Sequence, residues 1–255
     1  ISTADSTGTS TITLDPTKAS FTGGAGVDKV TTSVTAPTKA IDLGAGDDSL
    51  TLASGTKTST GAISGGSGSD TLKMDAADAG MTSTEATTFG GKVTNFEKLV
   101  LNTAPGAITV ELAALGFSDI TLGGATGATT LNKLASNGTV TLNADVGVGS
   151  YVINVTDAAT GTSDKLNLTL SKAGLLAAGS VTAANVETVA ITTSDTQATA
   201  TNPLDTLTLA GAGQTTVTVS GNAGLNLTDN VTTLTTVDAS GISKGNFTWT
   251  AGALA

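Results

Sequence analysis

"GGSGSDTLK", residues 65–73, places three glycines in its first four positions and a single carboxylate, Asp70, at its sixth. The same nine-residue frame occurs twice upstream, as "GGAGVDKVT" at 23–31 and "LGAGDDSLT" at 43–51. The shared pattern is GGxGxDxUx, with U an apolar residue. Its carboxylates, Asp28, Asp48 and Asp70, are 20 and 22 residues apart. The preceding apolar residues Phe21, Ile41 and Ile63 keep that step, and so do the following ones, Val30, Leu50 and Leu72. Three columns advancing in register are the signature of a chain that winds back onto itself once per repeat.

Two nine-residue units make one coil of a β-roll, about 18 residues, and the surplus fits the opposite bend at "TAPTK" and "ASGTKTSTG". Each motif then lies over its predecessor at the roughly 4.8 Å spacing of paired strands. Phe21, Ile41 and Ile63 form one inward file, and Val30, Leu50 and Leu72 another. The sequence therefore predicts an all-β fold, a parallel β-solenoid (β-roll or β-helix) with Gly–Asp turns.

Further along, "NFEKLVL" at 95–101 and "NVETVAI" at 185–191 repeat an Asn-x-Glu strand entry, each preceded by "SDTLKM" or "SDKLNL". Short alternating runs such as "TVTL" at 139, "YVINV" at 151 and "TTVTV" at 215 extend the reading to more, less regular coils. Ala and Leu replace the Thr alternation at 76–88, 111–116 and 172–178, where short helical turns are expected. A soft boundary near residue 90 divides a Gly–Asp roll (1–90) from a Thr-rich solenoid (91–255).

Composition agrees with a thin, repetitive core. The hydrophobic fraction is 38%, with one Trp, one Tyr and five Phe, while 32 glycines supply turns. The net charge of −10, with eleven Lys and no Arg, argues against nucleic acid as a partner. The chain has no His and no Cys, which removes disulfides, thiolate metal sites and the usual general base, so an enzyme is not expected. No apolar run approaches the roughly 20 residues of a membrane span. The start at Ile1 without Met or a signal peptide, and the end in "FTWTAGALA" without an obvious stop, suggest a fragment of something longer, with room for export signals outside it.

Glycine at a coil edge permits left-handed backbone angles and leaves carbonyl oxygens unshielded. Ca²⁺ takes about six to eight oxygens, more than one turn offers, so an ion between stacked turns would draw carbonyls and carboxylates from both. One ion is expected between the turns of Asp28 and Asp48 and another between those of Asp48 and Asp70, with Asp47 a third donor. Mg²⁺ fits worse, because it demands octahedral geometry and retains its waters. A dinucleotide fingerprint is disfavoured, since no strand–helix–strand unit surrounds "GGAGVD". Glu97, Glu187, Asp164 and Asp205 stand in related contexts without the glycine frame; for them a solvated or hydrogen-bonding role competes with ligation. Regular Thr rows read as solvent-facing strand residues.

With these nonapeptides, an acidic Cys-free composition and the segments "NVETVAITTSD" and "LTTVDASG", the sequence resembles the RTX (repeats-in-toxin) class, and within it the surface-layer proteins of Gram-negative bacteria. The resemblance implies type I secretion, location on the bacterial cell surface, and calcium-dependent self-association into a two-dimensional lattice. Lipopolysaccharide would be the anchor, met by a part outside this chain. It also implies that Gly24, Gly26, Asp28, Gly44, Gly46, Asp48, Gly66, Gly68 and Asp70 occupy calcium-binding positions, with Leu43 standing where a first glycine is expected. The stalk of a secreted RTX adhesin is the alternative.

Overall fold

A computed structural model of the chain describes residues 1–197 and 203–251. The fold is an all-β parallel solenoid of about eleven turns with few helices. Its residues fall into two units: Ile1–Thr103 with Thr109–Ile120, and Ala104–Ile108 with Thr121–Ala255. Strands and helices are numbered along the chain.

In unit 1 one parallel sheet contains, in spatial order, β1 (Ser10–Leu14), β3 (Asp28–Thr32), β5 (Ser49–Thr51), β7 (Thr71–Met74) and β9 (Lys98–Leu101). A second contains β2 (Phe21–Thr22), β4 (Ile41–Asp42), β6 (Ile63–Ser64) and β8 (Val93–Thr94). Each coil crosses both sheets, and the register matches the repeat. Phe21 faces Ile41, Ile41 faces Ile63, and the file continues to Val93. Val30, Leu50 and Leu72 form the second file, extended by Ile12 at one end and Leu99 at the other. All of these except Ile12 are buried. Burying one such side chain stabilises the fold by about 1.5–3 kcal/mol, so the thin core gains by repetition what it lacks in bulk.

The far connections, including 35–39 and 53–61, carry no strand. The longest of them holds α1 (Ala76–Ala79) and α2 (Ser83–Gly90), which together begin where the expected helical span 76–88 begins and end two residues beyond it. A reciprocal capping box starts α2: Thr82 accepts from the Glu85 N–H, and Glu85 accepts from the Thr82 N–H. Ala86 and Phe89 on its inner side are buried. α3 (Leu112–Leu115) follows β10 (Ile108–Glu111), ends at Gly116 with φ +87°, and precedes β11 (Asp119–Leu122).

In unit 2 one parallel sheet runs β12 (Ala128–Leu134), β14 (Ser150–Val155), β16 (Ala177–Thr182), β18 (Leu204–Ala210), β20 (Gly224–Asp229) and β22 (Phe247–Ala251). The other runs β13 (Thr139–Leu142), β15 (Lys165–Lys172), β17 (Thr188–Asp195), β19 (Thr216–Gly221) and β21 (Thr236–Ile242). Val140, Leu168, Ile191 and Val219 form one inward file. Successive members are 28, 23 and 28 residues apart. The irregularity seen in the sequence lies largely in the connections: β15 and β17 pair over eight residues without a shift, although other pairs carry bulges. A polar residue enters the neighbouring file at Thr193, whose hydroxyl is satisfied by the Ala223 carbonyl at 2.7 Å.

The helical turn expected at 172–178 does not form. Lys172 ends β15, Ala177 begins β16, and Gly174 between them has φ +79°. The Leu176 N–H is taken by the Asp205 carboxylate at 2.8 Å, a partner 29 residues away that replaces an intrahelical carbonyl.

Candidate functional site

The three Gly–Asp turns join β2 to β3, β4 to β5 and β6 to β7, and they stack. Ala45 N–H donates to the Gly24 carbonyl at 2.7 Å, and Ser67 N–H to the Gly44 carbonyl at 2.9 Å. At Gly66 and Gly68, φ is +105° and +139°, and an added Cβ would lie 1.9 and 1.8 Å from the Gly44 and Gly46 carbonyl oxygens. Here glycine is required twice over, by backbone angle and by close approach. Leu43 keeps the backbone bond made by the first glycine of the other turns: its N–H donates to the Ser64 carbonyl, as Gly23 does to Asp42 and Gly65 to Thr94.

The residues marked by the glycine motif lie in this one column: Gly24, Gly26 and Asp28; Gly44, Gly46, Asp47 and Asp48; Gly66, Gly68 and Asp70. The three repeat carboxylates are sealed from solvent, with exposures of 1% for Asp28, 2% for Asp48 and 0% for Asp70. They form a ladder. The Asp28 N–H donates to Asp48 Oδ1 at 2.7 Å, and the Asp48 N–H to Asp70 Oδ1 at 2.8 Å. Thr3 Oγ1 donates to Asp28 Oδ1 at 3.1 Å at the near end. Glu97 provides the far rung, accepting from the Asp70 N–H at 2.6 Å. The glycine motif does not mark that rung; only the repeated Asn-x-Glu context does. Asp47 lies outside the ladder and accepts from the Ser69 N–H at 2.9 Å.

Each of Asp48 and Asp70 spends one oxygen on a backbone amide and has a second, Oδ2, buried without a partner. Such an oxygen is costly when ionised and invites either a cation or a proton. Among the described residues no three Asp, Glu, His or Cys side chains converge in one cluster, so any cation here would need backbone oxygens as well. Burial, and then the neighbouring charges of Asp70, Asp28 and Asp47, push the Asp48 carboxyl up to about 6. Asp70 is raised by burial and by Glu97 and Asp47.

This sets a pH dependence for the metal-free protein. A carboxyl with a folded-state pKa near 6 and an unfolded value near 4 stabilises the fold fully below about pH 4, and that contribution is lost as pH rises through 6. In chelator unit 1 is expected to be about 2 kcal/mol more stable at pH 4.5 than at pH 7.5 from Asp48, read as amide exchange protection recovered at the lower pH. Asp48→Asn should reduce the difference and leave the share of Asp70, whose carboxyl is raised in the same direction; an unchanged slope in that variant would assign the effect elsewhere.

Unit 2 repeats the last rung without the glycines, Asp164 N–H donating to Glu187 Oε2 at 2.7 Å. Asp205 lies instead at the opposite connection, on the Leu176 N–H. No protein-family model and no curated protein matches the chain.

Proposed function

We propose that the chain is a structural, non-catalytic component of a bacterial surface layer, a calcium-stapled solenoid that associates with its own copies into a two-dimensional lattice. The observation that carries this reading is the pair of orphaned, buried oxygens of Asp48 and Asp70 inside stacked glycine turns. A hard divalent cation supplies the missing countercharge. Asp28, Asp48, Asp70 and Asp47 would hold it, with carbonyls from the turns containing Gly24, Gly26, Gly44, Gly46, Gly66 and Gly68. The RTX-like motif and the acidic, His-free composition support calcium over transition metals. No helix among the described residues is long and apolar enough to cross a membrane.

Calorimetric titration of the full chain tests the metal. Asp48 adjoins both neighbouring turns, so Asp48→Asn is expected to weaken two calcium sites by on the order of ten- to a hundred-fold each. Asp28→Asn should weaken chiefly one, and Asp5→Asn at the exposed edge none. Equal losses for the Asp48 and Asp5 variants would sink the calcium reading. Electron microscopy with millimolar calcium tests the assembly: a periodic sheet is expected, whereas isolated filaments would favour an adhesin stalk.

A further inference from the structure

Unit 2 has its own carboxylate-lined bend, at the connection between β15 and β16. Three acids from neighbouring coils each take a backbone N–H of this short segment. Asp195 Oδ1 accepts from Gly174 at 3.1 Å, Asp205 Oδ1 from Leu176 at 2.8 Å, and Asp145 Oδ1 from Ala177 at 2.9 Å. Asp195 and Asp205 are buried. As in the unit 1 ladder, an acid of one coil satisfies an amide of a neighbouring one, but the bend contains a fixed cation. Lys172, the last residue of β15, donates from Nζ to Asp145 Oδ2 and, at 3.0 Å, to the Leu175 carbonyl. In the strand register it also stands opposite Asp195. An ammonium bears three donors and one charge, so it can bridge a carboxylate and a carbonyl as a metal would, with its stem anchored covalently.

We propose that Lys172 is the resident cation of this bend, so that unit 2 keeps its coils without divalent metal while calcium orders unit 1 alone. The statement about unit 1 rests on the calcium reading above; the role of Lys172 does not. Lys172 acts here as a positioning residue, fixing the acids that hold residues 174–177.

Amide hydrogen exchange of the full chain, read by NMR in chelator and in millimolar calcium, separates the two. In the wild-type protein the Leu176 and Ala177 amides are expected to keep the same protection in both solutions, within two-fold. Lys172→Met should lower protection at both amides about ten-fold, equally with and without calcium, and Lys172→Arg should restore most of it. Asp145→Asn keeps an oxygen for Ala177 and removes only the charge facing Lys172; a smaller loss, about three-fold, is expected there, and this variant serves if Lys172→Met does not fold. Loss of wild-type protection at these amides on chelation, or full protection in Lys172→Met, overturns the proposal. If residues 43–71 also stay protected in chelator, the calcium reading of unit 1 fails, while the Lys172 variants still decide the role of that residue.

Discussion

Gly68→Ala is expected to destabilise unit 1 by about 4 kcal/mol, combining the strain of a positive φ with the forced separation of two stacked turns. Alanine at φ +139° is unfavourable anywhere, and here its Cβ would lie 1.8 Å from the Gly46 carbonyl oxygen, a backbone atom that cannot swing aside. Two other glycines calibrate the effect. Gly116 has φ +87° but no atom within 4 Å of an added Cβ, so Gly116→Ala should cost only the angular strain, about 1–2 kcal/mol. Gly8 has neither problem, and Gly8→Ala should be close to neutral. Urea titration of the three variants checks the order. A Gly68 variant no weaker than the Gly116 variant would mean that the turns are not in contact.

Chelation is the second large effect. On the proposed reading, with dissociation constants of about 10⁻⁴ M, two ions at 10 mM calcium contribute roughly 5 kcal/mol to unit 1, all of which EDTA removes. What remains near neutral pH is a ladder of buried carboxylates facing one another, with too few donors to hold their charge. Residues 20–75 are expected to lose exchange protection in EDTA and regain it with calcium. Fluorescence would miss the event, because Tyr151 and Trp249 both belong to unit 2. Equal protection of these residues with and without calcium would rule out a staple.

The inward files were legible because the repeat that fixes them is local: Phe21, Ile41 and Ile63 announce their register through spacing alone, and the structure adds Val93 to the same file. The motif also located the carboxylate column. What spacing could not convey is the partner of each carboxylate. Asp48 reaches an amide 20 residues away and Glu97 one 27 residues away, in a coil whose turn carries a different motif. Long-range capping also explains the missing helix at 172–178. "KAGLLAAG" has helical composition, but Asp145 from the β13–β14 connection, Asp195 at the end of β17 and Asp205 in β18 claim its amides, and tertiary partners outweigh a propensity worth a few tenths of a kcal/mol per residue.

The ladder of unit 1 has a direction. Its amides belong to earlier residues and its carboxylates to later ones: Asp28 waits on Asp48, Asp48 on Asp70, and Asp70 on Glu97. A chain emerging into solution from its N-terminus would therefore expose, at every stage, one coil whose cap has yet to appear. A chain threaded out from its C-terminus would meet the opposite situation, each newly delivered coil docking its bare N–H onto a carboxylate already in place. The outermost coil thus waits with a bare amide in one sense of travel and with an unpaired carboxylate, a group that water solvates well, in the other.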